Sequence, residues 1–544
     1  MRKKLLIFVM IFVIGIMAAC SNSGNNDKEN DEMSANGDIE DENFHKEGFP
    51  IVDEPIKLEF MTGKAPTTAE DYNEVLIWQE YEDMTNIEID WGLTPKEGLT
   101  EKRNLSLGSE NLPDAYHTAG MPVMDLLKYG EQGTFVELSD LIEEYMPNLT
   151  EVLDEYPDIR KGITFPDGGI YGIPTVYDPD FPSLLIGAKF WIREDWLKEL
   201  DMDVPETTDE YYEYLKAVKE TDLLGDGSGD EIPFGATTIS QLRQVLTGAF
   251  GVQNMGRKHS YIDKDPETGD VRFFPIDDGY KEMLEYLNKI FEEELIQENI
   301  YTIEKNQSIS NGSEGLYGST IITSTESIYG EEEGSKFIGM PALEGPHGDR
   351  EYTKVGSPIA HMGGFVITKE NDHVPETLRW LDYFYSEEGT TMFFMGIEGE
   401  TFEEKEDGII DYMDDIKNSA DDSSLEQELA KYVTYLGGGY PGIVMQDSFK
   451  GAESLPSSIK AAEKIEPYII DEIWPTFTYT TEENKKLSSI QSDLHKYVDE
   501  MQDKFITGAE PFSEWDSYVK KVESMRLDEY LEIQQAAVDR YYEN

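Results

Sequence analysis

The residues best suited to chemistry by type and spacing lie in DLLGDGSGDE, Asp222 to Glu231. Asp222, Asp226 and Asp230 recur at every fourth position with glycines between them, Ser228 can present its backbone carbonyl, and Glu231 closes the run. A flexible acidic turn of this kind supplies the six to eight oxygens that calcium takes in an EF-hand type of loop. Leu224 stands where a side-chain oxygen is expected, so one ligand is missing or replaced by water. The ion expected here is structural, since nothing nearby suggests an activated water. In so acidic a chain the competing reading is a chance Asp/Gly turn.

Catalytic signatures are mostly absent. The sequence has no G-x-S-x-G, H-E-x-x-H or Walker A pattern, and its seven histidines are scattered. Its 112 acidic residues make any carboxylate pair uninformative, so a glycosidase or lyase stands as the enzymatic alternative. Aromatic residues make up 11% of the chain, and Tyr171, Tyr177, Trp191 and Tyr440 sit in or near Gly/Pro-rich stretches where core packing is less automatic. Such rings stack on the apolar faces of sugars while polar neighbours bind the hydroxyls.

Regular elements must position these groups. Ile56, Leu58 and Phe60 alternate as a strand, Val75, Leu76, Trp78 and Tyr81 share a helical face, and Ile87, Ile89 and Trp91 alternate again. This β-α-β opening predicts a parallel pair with a right-handed crossover. A helix over 99–107 then leads to a short apolar run at Ala115-Tyr116. Ligands in open α/β sheets collect beyond the carboxyl ends of strands, which nominates Thr62 to Lys64 and His117 to Gly120. The candidate ligand-binding set is Lys64, Tyr116, His117, Tyr177, Trp191, Arg193, His361 and Tyr440.

Phe165 to Asp180, dense in Gly, Pro and aromatics, reads as a turn and a strand leaving the first lobe, a hinge. Thr207-x-x-Glu210 is a capping-box pattern. The apolar stripes Tyr280, Met283, Leu284, Leu287, Ile290, Phe291 and Leu487, Ile490, Leu494, Val498, Met501, Phe505 are assigned to core. No repeat with a period of 20 to 50 residues is evident, against a solenoid or propeller.

Composition narrows the setting. The net charge of −67 extends through the whole body, a field that repels nucleic acid and anionic lipid headgroups. Arg2, Lys3 and Lys4, the apolar run Leu5 to Ile16 and the small pair Ala18-Ala19 form an export signal that ends before the single cysteine, Cys20. Residues 21–54 are poor in aliphatics and read as a disordered acidic tether, with a root-mean-square span of roughly 30 Å. The remaining length calls for at least two lobes, held by burial alone because no second cysteine exists.

Met1 to Cys20 resembles a bacterial lipoprotein signal, whose terminal cysteine receives lipid, with Met17 where that signal usually has Leu. From GFPIVDEPIKLEF to the C-terminus the chain resembles the large extracellular solute-binding proteins of bacterial ABC importers, family 1, of the lipoprotein type found in Bacillus and Paenibacillus relatives. WIREDWLKELDMDVPETTDEYYEYLKAVKETD, FIGMPALEGPHGDREY and ETLRWLDYFYSEEGTTMFFMGIEGETF are the most recognisable stretches. The resemblance implies an α/β, periplasmic-binding-protein-like fold of two hinged lobes, with the ligand cleft between them. It implies lobe one at 55–173 plus about 363–405, and lobe two at 174–362 plus about 406–544. It further implies that Asp222, Asp226, Ser228, Asp230 and Glu231 form the calcium loop of some members, with Leu224 replacing the usual Asn.

The expected function is capture of an oligosaccharide, without catalysis, and delivery to a membrane permease by a monomer anchored to the outer face of the cell membrane. The rival to transport is a receptor that presents its sugar to a sensor. With only 45 Lys and Arg, neutral glycans are the expected ligands, and Lys64 and Arg193 are the basic residues that leave room for a uronate. Cys20→Ser should release an intact, sugar-binding protein into the medium, and retention of that variant in the membrane fraction would sink the anchor.

Overall fold

The computed structural model describes residues 43–109, 111–405, 409–418, 425–434 and 440–543. Cys20, the signal and the tether up to residue 42 lie outside the described residues. The β-α-β opening forms as the alternation predicts. Strand β1 (Ile56–Lys64) and strand β2 (Ile87–Pro95) pair in parallel, and helix Leu76–Thr85 buries Ile77, Trp78 and Tyr81 against them. Asn86, left-handed at φ 60°, ends the helix and turns the chain into β2.

Four later segments complete this sheet or begin the next. Strand β3 (Ala115–His117) lies parallel to β1, β4 (Ile173–Tyr177) follows a run of short helices, and β5 (Lys189–Arg193) opens a second sheet with β6 (Ile232–Phe234). Strands β7 (Tyr317–Ile322) and β8 (Phe337–Gly339) finish the second sheet. The chain then returns to the first through β9 (Ile359–Ile367) and β10 (Ile443–Val444). The six-stranded sheet has the order β10-β4-β9-β3-β1-β2 and the four-stranded one β8-β5-β7-β6. The first is parallel apart from β9, which runs antiparallel to both β3 and β4.

That one antiparallel strand fixes how the sheets are joined. His117 and Ile173 both pair with Phe365, one on either side of β9. The whole of β4 and the first half of β9 therefore extend beyond the carboxyl end of β3 as a ribbon. Three segments cross between the sheets from this edge: one after Tyr177, one ending at Ile359, one after Val444. Leu185, Val355 and Ile470, one from each crossing, form a small apolar cluster with Tyr177 at its margin.

Apart from a small cluster of Trp191, Tyr317, Tyr329, Phe337 and Ala461, the other buried apolar side chains gather in two large cores, as a two-domain α/β binding-protein fold requires. The first runs from Ile51 to Leu184 and from Ile359 to Phe449, the second from Ile186 to Tyr352 and from Ala462 to Tyr541. Two expectations shift. Ile416, Tyr440 and Val444 belong to the first core, although the segment after about 405 was expected in the second lobe, because β10 pairs with β4 before the last crossing. Residues 43–54, expected in the tether, are ordered: Ile51 and Val52 are fully buried and both donate backbone N–H to Thr85 O. Three apolar residues, Phe44, Ile51 and Val52, anchor a stretch whose average composition is polar.

His117, expected in a ligand loop, belongs to the first core. It packs beside Phe60, Trp78, Trp91 and Phe365, its Nδ1 is 2.9 Å from Thr62 Oγ1, and its buried Nε2 has no partner among the described residues. Burial pulls its pKa from 6.5 down to about 3. Folding therefore favours the neutral ring, and the stability at stake is intact above pH 6.5 and lost as pH falls toward 3. His117→Phe should make that acid limb shallower by up to about 1.4 kcal/mol per pH unit, read from urea midpoints across the range. Identical acid limbs would mean that His117 takes up its proton in the folded chain.

Candidate functional site

The carboxyl ends of β1, β3 and β4, with the start of β9, define the edge from which all three crossings leave. In open α/β sheets this edge, at a switch in strand order, is where ligands collect. The sequence-predicted residues divide sharply around it. Tyr177 ends β4 half-buried, its N–H donated to Pro358 O, and its hydroxyl reaches solvent without a partner among the described residues. His361 pairs with Thr175 across the ribbon and is exposed. Lys64 ends β1 at this edge, mostly buried and bound to Glu70 at 2.7 Å.

The others are held by the cores. Tyr116 is fully buried with its hydroxyl 2.9 Å from Ser106 Oγ. Trp191 is 1% exposed and donates Nε1–H to Ile322 O at 2.9 Å. Tyr440 packs among Phe384, Phe393 and Phe394 and donates its hydroxyl to Phe384 O at 2.7 Å. Tyr171 is likewise packed and donates to Asp167 Oδ2 at 2.6 Å. Arg193 closes the end of β5 remote from the crossing, 2.6 Å from Asp195 and 3.4 Å from Glu333, so its charge is already balanced. Gly/Pro-rich neighbours mark chain reversals, and here the reversals fold the rings inward.

The loop at 222–231 takes the expected tight turns, with Gly225, Gly227 and Gly229 all at positive φ. Its carboxylates, however, serve backbone amides. Asp222 accepts from Gly225 and Gly227, Asp226 from Ser228, and Glu231 Oε1 from Leu223 and Leu224. Asp230 donates its N–H to Ser228 Oγ. Leu224 turns onto the second core, which explains an apolar residue at that position. Among the described residues no group of three His, Cys, Asp or Glu converges closely enough to hold a metal. The oxygen-rich donor set fits calcium, whereas this arrangement of it does not enclose an ion.

Sequence reasoning passed over a group of basic residues at the crossings. Helix Pro182–Ile186 lies on the first crossing and ends at Gly187, whose φ of 66° is one that L side chains rarely adopt. Carbonyls of this helix and of the two residues after it meet cations from three segments. Lys189 Nζ donates to Ser183 O and Gly187 O, both at 2.8 Å, Arg257 Nη1 to Ile186 O at 3.2 Å, and Lys354 Nζ to Ala188 O at 3.1 Å. Lys258 Nζ makes one long bond, 3.4 Å, to Ala360 O at the start of β9. Among the described residues none of these four forms an ion pair. Burial and neighbouring cations pull Lys354 down to about 7, and burial pulls Lys189 to about 8, Glu453 opposing. The signal was present as Arg257-Lys258-His259, a basic triplet in a strongly acidic chain.

This geometry has known counterparts. A family model described as bacterial extracellular solute-binding protein matches residues 65–391. The chain is 30% identical over 511 residues to the fructooligosaccharide ABC transporter substrate-binding protein FusA of Streptococcus pneumoniae, covering 91% of this chain and 92% of that protein. It is 25% identical over 433 residues to the polygalacturonan/rhamnogalacturonan-binding protein YtcQ of Bacillus subtilis, covering 76% and 78%. FusA in complex with kestose has the same fold at a TM-score of 0.71 and 27% identity, covering 90% of this chain and 100% of that one. Two α/β lobes joined by three crossings at one sheet edge, matched over nearly the full length, make this chain a member of the bacterial extracellular solute-binding protein family.

Proposed function

We propose that the chain is the substrate-binding component of an ABC importer, taking up an oligosaccharide between its lobes and passing it to a membrane permease. The observation that carries this reading is the likeness over 91% of the chain to FusA, a protein solved with kestose bound. The role is transport, and no bond is made or broken. The sugar would lie beyond the edge formed by Lys64, Tyr177 and His361, and closure about the three crossings would bury it. Affinity then depends on contacts that exist only in the closed form, because a ligand shifts the equilibrium solely by its differential affinity for the two forms. The protein works outside the cell at the membrane, with lipid on Cys20 as the proposed anchor. The loop Asp222–Glu231 is proposed to take calcium as a structural ion, weakly, since Leu224 offers no oxygen.

A thermal-shift screen over plant and bacterial oligosaccharides should find at least one that raises the melting temperature and is recovered unchanged. Recovery of cleavage products would replace the receptor with an enzyme. Excess chelator should lower the melting temperature of the free protein without abolishing sugar binding, as expected for an ion remote from the crossings. FusA itself is solved as an EF-hand mutant in complex with fructo-nystose. An unchanged melting curve in chelator would remove calcium from the account.

A further inference from the structure

In a chain with 112 acidic and 45 basic residues, most cations near a carboxylate are expected to pair with it. Lys64 and Arg193 do so. Arg257, Lys258, Lys354 and Lys189 do not, although they stand side by side where the second lobe meets the crossing strands. Part of their role is plain: Lys189 and Arg257 bind carbonyls at the end of helix Pro182–Ile186, where cations are favoured, and Lys354 binds Ala188 O just after it. That role leaves hydrogen-bonding capacity unused.

Arg257 shows this most clearly. Its backbone N–H is donated to Val355 O and its Nη1 to Ile186 O. Among the described residues its Nε and Nη2 have no partner, and neither is a sealed, unsatisfied atom, so both reach solvent. A Cβ at Gly356 would stand 2.9 Å from Nη2 and 3.0 Å from Nε. Glycine there keeps open the guanidinium edge that binds a carboxylate through two parallel N–H bonds. Lys258 is half-buried on the same loop with a single long bond to Ala360 O, and His361 follows that carbonyl at the exposed start of β9. The hydroxyl of Tyr177, without a partner among the described residues, lies within electrostatic reach of Glu453 and of Arg257. Lys354 and Lys189, 5% and 0% exposed, stand behind this opening. Glu453 is the carboxylate that faces Lys189, and it forms no ion pair with any of the four.

We propose that Arg257 and Lys258, backed by the buried Lys354 and Lys189, form a carboxylate-binding site that selects acidic, uronate-bearing oligosaccharides. This rests on the reading of the chain as an oligosaccharide receptor and departs from the neutral ligand that composition alone suggests. The acidic surface does not prevent it. Exposed charges are screened by salt within about a Debye length, whereas cations in a partly desolvated site act at short range with little screening.

Calorimetric titration of the full chain with tetragalacturonate, its methyl ester and kestose separates the claims. The acid should bind roughly tenfold tighter than the ester, or more, because only the acid offers a charge to the guanidinium edge. Lys258→Ala and Arg257→Lys should each reduce that preference, the second by losing the planar fork while keeping the charge. Equal affinity for acid and ester in the unaltered protein would overturn the carboxylate site, whatever the variants do. Binding of kestose without the acid would overturn it too while leaving oligosaccharide capture intact. Failure of all glycans to bind would overturn both readings.

Discussion

Everything at the junction of the lobes depends on one interaction, the binding of cationic side chains to the carbonyl end of helix Pro182–Ile186. This helix is a little over one turn long, too short to be stable by itself. Its terminal carbonyls would be left without intrahelical partners in a place with limited access to water. Lys189 and Arg257 supply donors to the helix and its cap, Lys354 binds Ala188 O just beyond, and the three come from the end of the first crossing, a loop of the second lobe and the second crossing. Hydrogen bonds to charged groups contribute about 1.5 to 3 kcal/mol each, more than neutral ones. Satisfying one short helix and the residues that follow it therefore ties together three segments of the chain. Leu185, Val355 and Ile470 seal the same junction with apolar contact.

The arrangement has an electrostatic cost that bears on function. Lys354 and Lys189 are buried next to Arg257 and form no ion pair among the described residues; burial and neighbouring cations lower the affinity of Lys354 for protons, and burial lowers that of Lys189, with Glu453 offsetting part of it. In a chain of net charge −67, an ion pair here was available from almost any acidic neighbour. Carbonyl dipoles were used instead, and they hold the cations in place without cancelling their charge. The positive potential remains usable by something that arrives from outside. By contrast Arg193, equally buried at the far end of β5, is neutralised by Asp195 and Glu333 and has nothing left to offer.

Much of the architecture was legible in the sequence because it rests on periodicity. The alternation at Ile56–Phe60 and Ile87–Trp91, the capping box at Thr207 and Glu210, and the stripes at 280–290 and 487–501 all form as read. The site was far less legible. All five residues of β5 are buried, since the strand is covered on both faces, so its sequence carries no polar alternation to say which side chains are accessible. Trp191 and Arg193 could not be assigned to core or cleft without it. Which end of β5 adjoins the crossing is a matter of topology, and it puts Lys189 at the junction and Arg193 away from it. Tyr440 was drawn toward the cleft by its glycines, but β10 follows three residues later and folds the ring against Phe393. Residues 43–54 were hidden by averaging, because a few apolar anchors suffice to dock a polar segment.

The basic triplet at 257–259 shows how a site can be visible yet unread. Composition sets a mean, and against a mean of strong acidity the sequence invites a neutral ligand. Recognition is decided by the local exception. The triplet's third member makes the point by doing something different: His259 donates Nε2–H to Pro475 O and stacks on Phe477, and burial lowers its pKa to about 4, so it braces the loop as a neutral ring. Arg257 and Lys258, on the same turn, direct their cationic groups at the crossings. A loop held rigid at one residue and charged at the two before it is preorganised, and preorganisation is what lets a few cations select a ligand against a repulsive surface.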